Sequence, residues 1–326
     1  MTAWPAIVCL GEVLIDFVPF EVSLPIEQAT SFHRSAGGAP ANVAVALSRL
    51  GVPSAFIGKL GGDPFGRFLH QTLADESVDL RGVVVDAGAQ TPLAFVGSDG
   101  KAGRSFVFYH KQMADTLLKP EEVDIELIAH ASVFHFGSVT LAAEPSRSAT
   151  LAAARWAREH GCLVSFDPNV RLELWDAPRA ALDCITESLS LVDVVKVSID
   201  EVPFLTSASD AALACRRLRE HGPAVAVVTL GRDGCYYDTG ACSGTVPAPR
   251  VEVVDTLGAG DAFMAGLLCG LSSDALCDER ALTRALRFAN GVGAITTTRH
   301  GAIPALPTRA QVEAILRSTV DTSLPG

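Results

Sequence analysis

The segment DTLGAGDAF, residues 255–263, places three small residues between two aspartates, directly before a long apolar run. The first backbone N–H groups of a helix have no partner within the helix and carry partial positive charge. Small residues there let a phosphate approach the backbone, so Gly258, Ala259 and Gly260 could form an anion hole. Asp261, in the first turn, could accept the proton of a hydroxyl that attacks the bound phosphoryl group. The plainer interpretation is that Asp261 complements the helix dipole and that the glycines make a tight turn.

Composition limits the kind of protein that could carry this segment. The chain has 326 residues, of which 48% are hydrophobic and 19% charged, with a net charge of -11. Such a chain can bury a large core, and the absence of a Lys/Arg run argues against a nucleic-acid partner. The N-terminal apolar stretch has no basic lead region and is interrupted by Glu12 and Asp16, which is typical of a first strand rather than a signal peptide or membrane span. A cytoplasmic protein with no membrane partner is expected.

Eight cysteines are scattered without a CxxC pair, which favours reduced thiols over disulfides or a zinc site. His130 and His135 are five residues apart, a spacing that does not place both on one helix face. We interpret these two histidines as structural.

Short β-branched runs such as AIVCL, SAFIGKL and AVAVVTL alternate with Ala/Leu-rich segments such as PANVAVALSRLG. This alternation predicts an α/β fold, a doubly wound, mostly parallel sheet with helices on both faces. Residues 12–35 and 90–110 break the rhythm with extended patterns and no intervening helix, so they predict a small antiparallel β lid. Nothing splits the chain, and one domain over residues 1–326 is expected.

Two phosphate-binding motifs of other folds are missing. No GxxxxGK[ST] occurs, which excludes a P-loop kinase, and the segment after the first strand, LGEVLID, has a single glycine. A nicotinamide-dependent oxidoreductase is therefore disfavoured.

GGAPANVAVALSRLG near the N-terminus and DTLGAGDAFMAGLL near the C-terminus resemble the two signatures of the ribokinase-like carbohydrate kinases of the phosphofructokinase-B type. IGKLGGDPFG, SFDPNVRLELW, VVKVSIDE and TLGRDGC are similar to segments of the fructokinase branch. The resemblance implies an ATP-dependent sugar kinase that phosphorylates the 6-hydroxyl of D-fructose. The same chemistry on ribose, 2-keto-3-deoxygluconate or a nucleoside is the nearer alternative. A non-catalytic sugar-binding relative is another, which intact residues at 258–261 disfavour.

The resemblance also implies roles for individual residues. Asp261 is the catalytic base, with the anion hole at Gly258, Ala259 and Gly260. The residues implied for the sugar are Asp16, Gly37, Gly38, Asn42, Arg104, Asn169 and Arg171. Taken alone, Asp16 is equally typical of an edge strand, Asn42 of an exposed helix face and Arg104 of a surface salt bridge.

ATP and Mg²⁺ are the implied cofactors, and potassium is expected as well. The residues implied for the nucleotide are Lys196, Ser198, Glu201, Thr229, Gly231, Asn290, Gly293 and Ala294. Ser198 stands where the broader family has asparagine, a departure that the fructokinase branch shares. Glu201 is implied to act on magnesium through water, and Asp255 to belong to the monovalent-cation site. Small residues at 293–294 would also suit simple helix packing.

One further departure concerns the lid. Fructokinases commonly have arginine after the tyrosine of the segment FVFYHKQMADTLL, and this chain has His110. Histidine is shorter and largely neutral at pH 7. Sugar preference is expected to differ if that arginine contacts the substrate, and to be unaffected if it braces the lid. By resemblance, a homodimer through the lid is also expected.

Overall fold

A computed structural model describes residues 4–21, 24–98, 104–271, 276 and 278–321. Its strands are numbered β1 to β13 along the chain and form two sheets. Nine of them build the large sheet in the order β13-β12-β11-β10-β9-β8-β1-β4-β5. These strands are β1 (Ile7–Leu10), β4 (Ser54–Gly61), β5 (Val83–Asp86), β8 (Val133–Gly137), β9 (Leu163–Asp167), β10 (Val194–Ser198), β11 (Val225–Thr229), β12 (Cys235–Asp238) and β13 (Ser243–Val246).

In this sheet, the seven neighbouring strands β11, β10, β9, β8, β1, β4 and β5 pair in parallel. Strands β12 and β13 add two antiparallel strands at the edge beside β11. Neighbouring side chains of β1 go to opposite cores: Ile7 and Cys9 pack in one, Val8 and Leu10 in the other. Burial on both faces explains the continuous β-branched runs in the sequence. The predicted doubly wound sheet is confirmed.

Helices cover both faces of this sheet. They are α1 (Ala39–Arg49), α2 (Pro64–Asp75), α3 (Ile125–Ala129), α4 (Ser146–Glu159), α5 (Pro178–Ser188), α6 (Val202–Thr206), α7 (Ala211–Arg219), α8 (Ala259–Leu268), α9 (Glu279–Thr296) and α10 (Arg309–Asp321). Helix α8 is buried from Asp261 to Leu268, because α1 and α9 pack against it. In the described part of the chain, no helix combines the length and apolarity that crossing a bilayer requires.

The small sheet has the order β3-β2-β6-β7, from β2 (Leu14–Pro19), β3 (Phe32–Gly37), β6 (Leu93–Ser98) and β7 (Arg104–Tyr109). We call it the lid. The extended segments predicted it, and the pairs β2–β3 and β6–β7 are antiparallel as expected. The middle pair, β2–β6, is parallel, because the two hairpins leave the large sheet separately and meet side by side.

Candidate active site

The tip of α8 has the backbone shape that an anion hole requires. Gly258 precedes the first helical residue with a φ of 74°, in the left-handed region that favours glycine. A Cβ on Gly258 would lie 2.8 Å from the Ala302 Cβ, so both the backbone and the space require glycine. Gly260 differs, since a Cβ there would meet only the Lys196 Nζ, at 3.1 Å. The second glycine therefore keeps room in front of the helix tip.

Asp261 lies in the first turn of α8 and is buried. Its Oδ2 accepts a 2.8 Å hydrogen bond from the Asn42 Nδ2 of α1. Burial and, to a smaller extent, the nearby Asp167 raise the pKa of Asp261 to about 6, against the opposing effects of Asn42, Lys196 and Arg171. The carboxylate is thus a stronger base than an exposed aspartate, yet still ionised at pH 7.

A buried ion pair lies beside the helix tip. The Lys196 Nζ of β10 is 2.5 Å from the Asp167 Oδ2 at the end of β9. Burial opposes the ammonium, but Asp167, Glu201 and Asp261 outweigh it and raise the pKa of Lys196. Lys196 therefore supplies a fixed positive charge next to Gly260. Sequence reasoning missed Asp167, although it opens the DPN segment that we quoted for the resemblance.

A cavity of roughly 1070 Å³ opens in front of the tip, a volume that can accept a nucleotide. It lies at the carboxyl ends of the central parallel strands, where ligands bind in open α/β sheets. The structure brings all eight residues predicted for the nucleotide together in its wall. The predicted residues that line it are Asn169, Arg171, Lys196, Ser198, Glu201, Thr229, Gly231, Ala259, Gly260, Asn290, Gly293 and Ala294. Phe106 of the lid also lines it, a residue that the sequence did not single out.

Glu201 is held rigidly on one wall of this cavity. Its Oε2 accepts hydrogen bonds from the backbone N–H and the hydroxyl of Ser198, and its Oε1 from the backbone N–H of Val170. The glutamate thereby fastens the loop after β9 to the loop after β10. Ser198 contributes to the site by orienting this carboxylate.

Helix α9 contributes three of the predicted nucleotide residues to the cavity wall. Two of them, Gly293 and Ala294, have small side chains that leave space in the cavity. Asn290 is different: its Nδ2 donates a 2.8 Å hydrogen bond to the carbonyl of Val246. The asparagine therefore fastens α9 to the end of β13 as well as lining the cavity.

Four of the residues predicted for the sugar, Asp16, Gly37, Gly38 and Asn42, lie outside the cavity wall described above, whereas Asn169 and Arg171 line the cavity. Asp16 is buried in β2, and a Cβ on Gly37 would lie 2.1 Å from its Oδ2. Gly38 has a φ of 108° and lies against the backbone of Glu12. Asn42 connects this group to Asp261, and its own Oδ1 is buried with no partner. A hydroxyl donor from a sugar would satisfy that oxygen.

Arg171 points its guanidinium over the ring of Phe106, 5.4 Å from the ring centroid, and donates to the carbonyl of Val170. Asn169 has a φ of 41°, so the chain turns sharply between β9 and Arg171. Arg104 begins strand β7, but its side chain lies outside the described residues.

Asp255 fastens the loop before α8 to the loop after α9. Its Oδ1 accepts from the backbone N–H of Leu257, and its Oδ2 from that of Gly301.

His130 and His135 are structural: His130 stacks on Trp4, and the buried His135 bonds to the Ser165 hydroxyl. The cysteines in the described ranges carry free thiols.

A carboxylate in the first turn of a buried helix, beside a glycine-rich helix tip and a cavity of nucleotide size, matches one family of known proteins. The model of the pfkB family carbohydrate kinases matches residues 5–309. The chain belongs to the pfkB family. A plant protein, the probable fructokinase-6, chloroplastic, of Arabidopsis thaliana, is 46% identical over an alignment of 321 residues that covers 97% of this chain and 84% of the plant protein.

Solved structures of fructokinases have the same fold. The fructokinase of Xylella fastidiosa with bound ATP superposes with a TM-score of 0.88 at 36% identity, covering 96% of this chain and 98% of that one. A double mutant of the Vibrio cholerae O395 fructokinase, bound to fructose, ADP and a potassium ion, gives a TM-score of 0.85 at 35% identity, covering 97% and 100%. The large sheet and the lid together are therefore the ribokinase-like architecture.

Proposed function

We propose that the protein is an ATP-dependent fructokinase that phosphorylates the 6-hydroxyl of D-fructose. The observation that carries this proposal is the position of Asp261, one residue after Gly260 in the tip of α8 and hydrogen-bonded to Asn42. One turn of helix fixes the base and the phosphate-binding N–H groups relative to each other. Such preorganisation is a large part of catalysis in phosphoryl transfer.

In the reaction, Asp261 takes the proton of the 6-hydroxyl through the oxygen that Asn42 does not occupy. The sugar oxygen forms a bond to the γ-phosphorus, and the bond from this phosphorus to the bridging oxygen of ATP breaks. The N–H groups of residues 258–260 and the Lys196 ammonium stabilise the charge on the transferring group. Arg171 lines the same cavity, and in this proposal its guanidinium contacts the phosphates or the sugar.

The sugar is held from the lid side. The Asp16 carboxylate accepts from sugar hydroxyls, while Gly37 and Gly38 let the backbone come close. Asn42 accepts another hydroxyl on its unpartnered Oδ1. Arg104 and Asn169 complete the proposed sugar residues.

The nucleotide occupies the cavity, with Thr229 and Gly231 near its ribose and phosphates and α9 beside the adenine. In the described residues no group of three acidic, histidine or cysteine side chains could hold a metal. Magnesium suits a site with few protein ligands, because it keeps several of its waters and binds mainly through phosphates and one or two carboxylates. Glu201 would hold the hydrated ion from the cavity wall. When bound, the ion neutralises the phosphate charge.

Potassium is proposed as an activator beside Asp255, and a potassium ion bound to the Vibrio relative supports this. Both Asp255 oxygens accept backbone N–H groups, and its Oδ2 also lies 3.9 Å from the His300 Nδ1. Activity and thermal stability should both rise when sodium is replaced by potassium at equal ionic strength. Equal values in the two salts would contradict this cation site.

We further propose a cytoplasmic homodimer joined by the lids. The outer face of β7 exposes Val107 and Tyr109 at 45% and 55%. Exposed apolar side chains on one face of a strand are typical of protein contacts. Light scattering after size exclusion should give twice the mass of one chain, and a monomer at all concentrations would contradict the proposal.

The decisive experiment is a panel of sugars with ATP and magnesium, followed by coupled detection of ADP. Fructose should give the highest kcat/KM, ahead of ribose, 2-keto-3-deoxygluconate and nucleosides. Asp261→Asn is the control, because it keeps the shape and the acceptor for Asn42 while removing the base. A higher kcat/KM with another sugar would replace fructose as the substrate, and unchanged activity in the variant would reject the mechanism.

A further inference from the structure

Three buried titratable side chains that the proposed chemistry does not use lie together at the base of the lid. Glu12, His110 and Asp115 are only 3%, 6% and 1% exposed. The His110 Nε2 lies 2.6 Å from the Asp115 Oδ2. The titratable groups that act on Glu12 are Asp115 and His110, and those that act on His110 are Asp115 and Glu12. We call these three residues the base cluster.

The base cluster lies where the chain passes between the large sheet and the lid. Glu12 is in the three-residue link from β1 to β2, and His110 directly follows β7. Asp115 is in the short 3-10 helix Ala114–Leu117, whose first N–H donates to the carbonyl of Gln90, just before β6. The connections of β2, β6 and β7 to the large sheet therefore converge on these residues.

The same cluster holds the glycine turn of the proposed sugar site. The Glu12 Oε1 accepts a 2.7 Å hydrogen bond from the backbone N–H of Ala39, the first residue of α1. Gly38 provides no side-chain cap for this helix, so Glu12 supplies the acceptor from 27 residues away. A Cβ on Gly38 would lie 2.4 Å from the Glu12 carbonyl oxygen, which shows how closely the turn packs on this link.

Two oxygens in the cluster remain without a partner. The Glu12 Oε2 and the Asp115 Oδ1 are buried and accept no hydrogen bond. Buried polar atoms without partners cost stability, and they are retained mostly where they serve a purpose. Two carboxylates in one dry site also require a counter-charge, which a protonated His110 provides.

We propose that Glu12, His110 and Asp115 are positioning residues for the sugar, which connect the base of the lid to the turn 37–39 and set its geometry. This inference rests on the proposed function of that turn. His110 thus braces the lid, where the fructokinase branch commonly has arginine. Its imidazolium balances Glu12 and Asp115, so the link from β7 to α1 depends on its charge.

The pH dependence of the cluster has a defined sign. Burial raises the pKa of Glu12 to about 7. Burial opposes the charged form of His110, but Asp115 and Glu12 outweigh it and raise the pKa of that imidazole. The ionised Glu12 is the stronger acceptor for the Ala39 N–H. As long as His110 keeps its proton, the KM for the sugar should therefore fall as pH rises through the pKa of Glu12.

The test compares Glu12→Ala, Glu12→Gln and His110→Gln with the wild-type protein, using Glu126→Gln and His130→Gln as exposed controls. Glu12→Ala should raise the KM for fructose at least tenfold and leave the KM for ATP unchanged. Glu12→Gln keeps an acceptor for Ala39, so it should restore most of the affinity but lose the fall of KM as pH rises through about 7. His110→Gln should raise the KM for fructose severalfold.

Amide hydrogen exchange of the peptide that covers residues 37–42 gives a readout that needs no enzyme activity. Its protection should fall in Glu12→Ala and in His110→Gln but not in either control. Unchanged exchange in His110→Gln would overturn the inference, as would equal losses of affinity for both substrates. Failure of the wild-type protein to phosphorylate fructose would instead reject the proposed function and leave the exchange test of the linkage intact.

Discussion

Asp261 combines two properties that usually exclude each other: it is buried, and it must be ionised to act as a base. Its burial raises the pKa to about 6, and the Asn42 amide and the Lys196 ammonium prevent a larger rise. The environment thus keeps the carboxylate charged at pH 7 while making it more basic than an exposed one. The contributions of Asn42 and Lys196 can each be tested by the effect of a substitution on the pKa of Asp261.

The pH profile of kcat/KM reports the ionisation of the base in the free enzyme. We expect kcat/KM to fall tenfold per unit below a pH of about 6. In Asn42→Ala the acidic limb should move up by about one unit, because a hydrogen bond to a charged group contributes about 1.5–3 kcal/mol and one unit is about 1.4 kcal/mol. An acidic limb that stays in place would show that Asn42 does not act on the base.

The free energy of unfolding should also depend on the ionisation of Asp261, but the contribution of this carboxyl should be higher at low pH, where activity is lower. Because the folded-state pKa of Asp261 is raised from 3.8 to about 6, its contribution is fully present below pH 4 and is lost as pH rises to about 6. Two units correspond to about 3 kcal/mol. Urea unfolding of Asp261→Asn should therefore show a variant more stable relative to the wild type at pH 7 than at pH 4, by about that amount. The same difference at both pH values would contradict the raised pKa.

At the scale of elements, helix α8 separates two kinds of glycine. Gly258 is required by the backbone, since its φ is 74°, whereas Gly260 has ordinary helical geometry and borders the cavity. The sequence motif treats the two alike, and the structure gives them different functions.

Gly258→Ala should lower the free energy of unfolding by at least about 1–2 kcal/mol, the cost of a left-handed alanine. Gly260→Ala should leave this free energy within about 1 kcal/mol, because alanine suits a helix interior better than glycine. Its methyl group instead occupies the space for the phosphate, and kcat/KM should fall about 100-fold, as when an oxyanion donor is lost. Urea titration and steady-state kinetics on both variants decide this, and a reversed pattern would show that the two assignments are wrong.

The elements themselves were largely predictable from local patterns. Helix α1 was expected from PANVAVALSRLG and spans Ala39–Arg49. The small residues before an apolar run predicted a helix that begins near Gly258, and α8 begins at Ala259. The contact of Asp167 with Lys196 was not predictable, because it depends on the register in which β9 pairs with β10. The cap of α1 by Glu12 was not predictable from local patterns either, because 27 residues separate Glu12 from Ala39 in the sequence.

At the scale of the whole molecule, the two sheets meet across the cavity. Phe106, on the lid, touches the guanidinium of Arg171 in the loop after β9. The next residue on the same side of the strand, Phe108, stacks on Phe106 with the ring centroids 5.7 Å apart but does not line the cavity. These two phenylalanines form a matched pair for testing closure of the site.

Phe106→Ala should lower kcat/KM for fructose about tenfold, because about 1 kcal/mol of aromatic–guanidinium contact is lost and Arg171 loses its support. Water should enter more easily, so the ratio of ATP hydrolysis to sugar phosphorylation should rise. Phe108→Ala is the control and should change this ratio little. Separate assays of ADP and of sugar phosphate measure it, and equal ratios in both variants would reject the role of Phe106.

The parallel pair β2–β6 places Asp16 on an inner strand of the lid, with β3 on one side and β6 on the other. The side chain proposed to recognise the sugar therefore belongs to the same sheet that covers it. An engineer who exchanges β2 to accept a different hexose will also alter how tightly the site is sealed. Selectivity and leakage should consequently change together in any library built on these strands.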